Sequence, residues 1–168
     1  DIIRFQNDTE KWIAVVGLSE GRPYEIFSGK AASFVLPNSV EKGWVIRVKE
    51  EDNLPARYDF QFLDNDGYKV TIEGLSRMFK KEYWNYAKLI SGILRHGMPI
   101  TNVIELISKL TLDTDSINTW KNGIARALKK YVKDGTIVEG EKCPQCGGKI
   151  IYTSGCKQCS DCGWSKCG

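Results

Sequence analysis

All six cysteines of this 168-residue chain fall within its last twenty-six residues. They occur as Cys143-Pro-Gln-Cys146-Gly, then Gly155-Cys156-Lys-Gln-Cys159-Ser-Asp-Cys162-Gly, then Lys166-Cys167-Gly168. Two pairs, Cys143/Cys146 and Cys159/Cys162, are CxxC turns followed by glycine, with twelve residues between them. A tetrahedral zinc ion needs four converging thiolates, and each CxxC turn supplies two from one tight loop. The trailing glycine lets the backbone fold back so that amides approach the sulfurs. This spacing predicts a closed structural Zn2+ site made by Cys143, Cys146, Cys159 and Cys162, on a segment too small to fold on its apolar content alone.

That partition leaves Cys156 and Cys167. A second partition is open, because Cys156-Lys-Gln-Cys159 is also CxxC and its use as the second knuckle would free Cys162 and Cys167 instead. The trailing glycine favours the first. In either case two thiols remain beside a metal-organised module. They read as spare cysteines or as a dithiol that carries electrons, which requires an accessible thiolate and a nearby partner. Lys157 and Lys166 flank the two thiols of the first partition and would favour their thiolate forms.

Cysteine-free sequence over residues 1–142 argues against a disulfide-stapled secreted domain and for a reducing, cytoplasmic setting. An apolar content of 42% with 27% charged residues describes a globular chain, and no apolar run approaches membrane-spanning length. The opening Asp1-Ile-Ile-Arg, without an initiator Met or signal pattern, reads as the interior of a longer chain. A net charge of +3 is too small to imply a nucleic-acid partner, and the basic run Lys121, Arg126, Lys129, Lys130, Lys133 reads as a solvated helix face.

The remainder predicts an α+β fold: an antiparallel sheet, about three helices, then a four-cysteine zinc ribbon. The domain layout read from sequence is 1–133 (β-rich 1–75, helical 76–133), a linker over 134–142, and a ribbon and redox tail over 143–168. Trp12–Leu18 and Tyr24–Ser28 read as a hairpin across Ser19–Pro23. Three further strands place Trp44, Ile46 and Val48, then Tyr58, Phe60 and Phe62, then Tyr68, Val70 and Ile72 on buried faces. Asp64-Asn-Asp-Gly67 turns the last two strands into a hairpin, so Asp64 and Asp66 are turn residues and not a carboxylate pair.

Helices are expected over about 81–96, stopped by Gly97 and Pro99, over about 102–110, capped by Thr101, and over about 116–133 with capping oxygens in Asp113–Ser116. Their stripes are Tyr83, Ala87, Ile90 and Leu94, widened by Tyr86 and Ile93; Val103, Ile107 and Leu110; and Ile117, Trp120, Ile124, Ala127 or Leu128, and Tyr131. His96, the only histidine, reads as a helix-end residue, and Trp84 and Trp120 as core aromatics. Residues 1–142 contain no phosphate loop and no nucleophile–base constellation.

The stretches Trp12-Ile-Ala-Val-Val-Gly-Leu18…Gly21-Arg-Pro-Tyr-Glu-Ile-Phe27 and Tyr83-Trp-Asn-Tyr-Ala-Lys-Leu-Ile-Ser-Gly-Ile-Leu-Arg-His-Gly97, with the closing Cys156-x-x-Cys159-x-x-Cys162-Gly…Lys166-Cys167-Gly168, resemble the C-terminal region of large adenosylcobalamin-dependent (class II) ribonucleotide reductases. The resemblance implies a region downstream of the catalytic barrel. There, a C-terminal cysteine pair re-reduces the barrel disulfide formed at each turnover and is recharged by a thioredoxin- or glutaredoxin-type reductant. Carried onto this chain, the pair is Cys156/Cys167, with Cys162/Cys167 as the alternative. The partners so implied are the barrel of the same enzyme and that reductant. Adenosylcobalamin, the nucleotide and the radical cysteine would belong to parts outside this sequence, so the segment alone is expected to be inactive. A competing function is a zinc-ribbon module that docks nucleic acid or protein without redox chemistry, motivated by the basic third helix and the tail lysines.

Overall fold

Runs of β-branched and aromatic residues dominate the first seventy positions, and they form two antiparallel sheets. The computed structural model describes residues 1–50, 55–111 and 118–167. Two compact units divide the chain, Asp1–His96 and Gly97–Gly168. Helices and antiparallel sheets together make it α+β.

In the first unit, β1 (Ile2–Asn7), β2 (Glu10–Ser19) and β3 (Arg22–Lys30) form one meander, and β4 (Trp44–Val48), β5 (Arg57–Leu63) and β6 (Lys69–Ile72) form another. The expected β2–β3 hairpin is present, and β1 pairs along its other side, a strand that the sequence reading did not mark. Trp12 to Val16 are all buried, which is why this run is continuously apolar and does not alternate. The Asp64 carboxylate accepts from the Asp66 and Tyr68 amides at 3.0 and 2.8 Å, so it is committed to the β5–β6 turn.

Phe60 and Phe62 of β5 point into a core shared with Ile13, Val15, Phe27, Phe34 and Phe79, and Trp84 stacks on Phe27 at 5.2 Å. One expected face is corrected. Register pairs Trp44 with Gln61 and Ile46 with Asp59, so these residues lie on the face of the sheet opposite Phe60, and Trp44 is 52% exposed. Val45, opposite Phe60, packs on the core instead. Once the phenylalanines of β5 turn inward, a period-two strand beside them has no further choice of face. Val70 and Ile72 of the edge strand β6 pair with Phe62 and Phe60 on the expected face, where Ile72 is partly buried and Val70 exposed, and Tyr68, just before the strand, is exposed.

After α1 (Leu75–Met78), α2 (Lys81–Arg95) buries Ala87, Ile90 and Leu94 as its spacing predicts. It also buries Ser91, whose hydroxyl accepts from the Ile26 amide at 3.1 Å and donates to the Ile26 carbonyl at 3.3 Å. β3 is an edge strand, and these bonds satisfy groups that no neighbouring strand reaches. His96 is the residue that closes α2, its amide donating to Gly92 and Leu94 carbonyls.

In the second unit, α3 (Ile100–Ser108) begins directly after Pro99, so Thr101 lies inside the helix and does not cap it. Val103 and Ile107 are buried with Ile104, whereas Leu110 lies beyond the helix end and is exposed. α4 (Trp120–Lys129) is capped by Thr119, whose hydroxyl accepts from the Asn122 amide at 3.3 Å. It is shorter than the expected 116–133. The expected capping residues Asp113–Ser116 and the stripe residue Ile117 lie outside the described residues.

Four strands, β7 (Ile137–Lys142), β8 (Lys149–Thr153), β9 (Cys156–Cys159) and β10 (Ser165–Lys166), complete an antiparallel sheet in the order β10-β9-β8-β7. Residues 134–142, read from sequence as a linker, are therefore part of the ribbon. The Gly135 amide donates to Tyr152 at 2.8 Å, the Tyr152 amide donates to Thr136 at 2.8 Å, and the Asp134 carboxylate accepts from the Ser154 amide at 2.6 Å. β-Branched Ile137 and Val138 suit a strand, and without β7 the backbone of β8 would be an open edge.

Candidate metal centre and thiol pair

Each cysteine turn is built the same way. In the first, between β7 and β8, the Cys143 amide donates to the Gly148 carbonyl at 2.9 Å and the Gly147 amide to the Cys143 carbonyl at 2.8 Å. In the second, between β9 and β10, the Cys159 amide donates to Trp164 at 2.7 Å and the Gly163 amide to Cys159 at 3.2 Å. Gly147 and Gly163 have φ of +74° and +76°, a conformation that penalises a side chain. The turned backbone then aims an amide at sulfur, from Gly148 to Cys146 Sγ and from Asp161 to Cys159 Sγ, both at 3.4 Å.

Pairing of β8 with β9 sets Ile150 opposite Cys159 and so brings the two turns together. The Sγ atoms of Cys143, Cys146, Cys159 and Cys162 all lie within 4.8 Å of one another. Cys143–Cys162 and Cys146–Cys159 are separated by 3.6 and 3.5 Å. A tetrahedron with Zn–S bonds of about 2.3 Å has edges of about 3.8 Å, so the four sulfurs fit a zinc ion with small adjustments. Cys143 and Cys159 are buried, and Cys146 and Cys162 are exposed.

Ionisation of the cluster shows what it lacks in charge. Burial pushes the Cys143 thiol up, but the Cys146 and Gln145 amides and the neighbouring sulfurs of Cys162 and Cys159 outweigh it and bring Cys143 down to about 7. The Gly148 amide favours a Cys146 thiolate, yet Cys162 and Cys159 push Cys146 up to about 12. The cluster thus favours a thiolate at Cys143 and opposes one at Cys146. A dication bound there would remove that opposition and could take all four thiolates as ligands.

The remaining two cysteines are joined. Cys156 and Cys167 form a disulfide, S–S 2.06 Å, with Cα atoms 4.5 Å apart. The β9–β10 register pairs Lys157 with Lys166, and one step further along it sets Cys156 opposite Cys167. Cys162 therefore stands in the four-sulfur cluster, and Cys156 stands against Cys167. Cys156 and Cys159 begin and end β9. Three residues apart on a strand, they project to opposite faces, which separates the disulfide from the four clustered sulfurs. Cys156 is half-buried and Cys167 exposed.

Around the disulfide the surface is basic. Lys157 makes an ion pair with Glu141 of β7 at 2.5 Å. Glu141 and Lys142 were missed as site residues because the sequence reading placed them in a linker. The β-branched pair Ile137-Val138 is the local signal that favours a strand there.

A four-sulfur, two-knuckle centre beside a separate disulfide defines a small zinc-ribbon type of module, carried after an α+β region. Residues 1–133 match the family described as NrdJ homologue C-terminal domain, and the chain belongs to that family. It is thus an NrdJ-related C-terminal region, tied to class II ribonucleotide reductase. The match stops before the ribbon. No curated protein and no solved structure matches the chain. Among the described residues no helix is long and apolar enough to cross a membrane.

Proposed function

We propose that this chain is the C-terminal part of a ribonucleotide reductase, and that Cys156 and Cys167 are the dithiol that re-reduces the barrel disulfide after each turnover. The observation that carries the reading is the Cys156–Cys167 disulfide, an oxidised pair standing apart from four thiols with metal-site geometry. Family membership supplies the context. Electrons would pass in pairs. A reductant dithiol becomes a disulfide while Cys156–Cys167 is reduced to two thiols. These thiols then return to the disulfide as the barrel disulfide is opened, and the two protons follow the electrons.

Zn2+ held by Cys143, Cys146, Cys159 and Cys162 supplies folding free energy to the tail and no electron chemistry. With these sulfurs ligated, only Cys156 and Cys167 are left to exchange, so the pair cannot scramble. Thioredoxin- or glutaredoxin-type proteins are the reductants in this reading, the catalytic barrel of the same enzyme is the acceptor, and the setting is cytoplasmic. Adenosylcobalamin belongs to the full enzyme, and no residue of this chain is assigned to it. In the full-length enzyme, Cys167→Ser should keep its zinc, lose turnover driven by a protein reductant, and retain turnover driven by dithiothreitol acting directly on the barrel. Undiminished multiple turnover with the protein reductant would refute the shuttle.

A further inference from the structure

The excess charge of this chain is not spread over it. Residues 1–96 carry fourteen Lys and Arg against fourteen Asp and Glu, whereas residues 97–168 carry ten against seven. Six of those ten, Arg126, Lys129, Lys130, Lys142, Lys157 and Lys166, line one open groove of about 1150 Å³. A single carboxylate, Glu141, shares the lining, and it is already paired with Lys157. Burial, and then the charges of Lys157 and Arg126, push the Lys129 ammonium below its usual range. Cations held this close repel one another, and an arriving anion relieves the repulsion.

Cys156 and Cys167 line the same groove. Whatever occupies it therefore meets the disulfide. The groove exceeds the size of an ordinary small-molecule site and suits a protein segment. Trp164 is the one aromatic side chain on its lining, which is thin for a surface that stacks nucleotide bases. A nucleic acid would also bring no electrons to the disulfide.

We propose that this groove is the docking surface for an acidic protein that carries the reducing dithiol, with the six cations steering its acidic face onto the disulfide. The inference rests on the shuttle reading above and adds how the reductant is recognised. Cys167 is the exposed sulfur, so the partner's thiolate attacks Cys167 Sγ, forming a mixed disulfide and releasing Cys156 as a thiolate beside Lys157. The partner's second thiolate then opens the mixed disulfide. The partner leaves oxidised by two electrons, Cys156 and Cys167 are reduced, and the two thiol protons of the partner end on this pair.

The test uses the oxidised 168-residue chain and two reductants, an acidic thioredoxin-type protein and uncharged dithiothreitol, with thiol release followed in time. In Lys130→Glu/Lys142→Glu, which leaves both cysteines and their adjacent lysines in place, the protein-driven rate constant at low salt should fall about tenfold or more, while the dithiothreitol rate stays within about twofold. Raising salt to roughly 0.5 M should bring the unaltered chain down to the variant's rate, because screening removes the steering. An unchanged protein-driven rate, or an equal loss with dithiothreitol, would overturn the docking assignment. So would salt-sensitive capture of a single-stranded oligonucleotide that the same substitutions abolish, which would give the groove to nucleic acid. Failure of the shuttle itself reads differently: the full enzyme would turn over with a protein reductant when Cys167 is serine.

Discussion

A zinc ion in the four-cysteine cluster would cross-link the ribbon as the disulfide does, but the two contributions to its stability should differ several-fold, and the difference decides whether Cys156 and Cys167 are free to act as a redox pair. The disulfide closes a loop of eleven residues. Chain-entropy reasoning gives such a loop about 3 kcal/mol at 25 °C. Structural zinc bound by four thiolates is worth on the order of 10–16 kcal/mol, and that free energy is available only to the folded ribbon. Replacing both Cys156 and Cys167 by serine should therefore lower the melting temperature of the 97–168 unit by roughly 10–20 °C while leaving it folded at 25 °C with one zinc per chain. Removing zinc from the oxidised protein with a chelator should instead unfold the ribbon, despite its intact disulfide. The assay is thermal unfolding followed by circular dichroism in the far ultraviolet and by Trp164 fluorescence, with metal content measured before and after. An oxidised, metal-free ribbon that keeps its cooperative transition would refute the argument. So would a zinc-loaded double-serine variant that has none, because a shuttle whose reduced form unfolds could not return to its partner in a defined geometry.

Three further outcomes follow from the structure. Ser91→Ala leaves the buried Ile26 amide and carbonyl without partners and should lower stability by about 2 kcal/mol, read as a shift in urea midpoint at unchanged slope. Asp59→Ala removes a buried carboxylate that accepts from Arg57 Nε at 3.0 Å and the Gly74 amide at 2.8 Å, and should cost about 2–3 kcal/mol in the same assay. Burial raises the Tyr131 phenol from 10.0 to about 12. Its neutral form is thus favoured in the folded state, so its contribution is intact below pH 10 and is lost as pH rises toward 12. Stability measured across that interval should decline, and Tyr131→Phe should flatten the decline.

What the sequence made legible was whatever depends on near neighbours. The two knuckles could be read because each is a local turn with its own glycine. The α2 stripe of Ala87, Ile90 and Leu94 follows from helical spacing alone. Strand faces were another matter. Trp44, Ile46 and Val48 alternate as well as Tyr58, Phe60 and Phe62 do, yet only the second set is buried as a face. The register with β5 chooses between them, and that information lies nine to seventeen residues away in the chain. The same limit hid β7. Its residues look like a polar connector until the pairing of Thr136 and Gly135 with Tyr152 is known.

The partition of the six cysteines shows why long-range pairing matters for the chemistry. Spacing alone left Cys156 and Cys162 as rival partners of Cys159. Both complete a CxxC with it, and only the trailing glycine separated them. Strand geometry supplies the missing term. In β9 a residue three positions before Cys159 must project to the other face of the sheet, whereas Cys162, inside the turn that the Gly163 amide closes onto Cys159, brings its sulfur back to the cluster. The β9–β10 register then leaves Cys156 one available neighbour, Cys167. Four sulfurs on one side and two on the other is thus a consequence of the strand period and one tight turn. That separation is what a tail needs if metal binding and thiol exchange are to proceed within twenty-six residues without interfering.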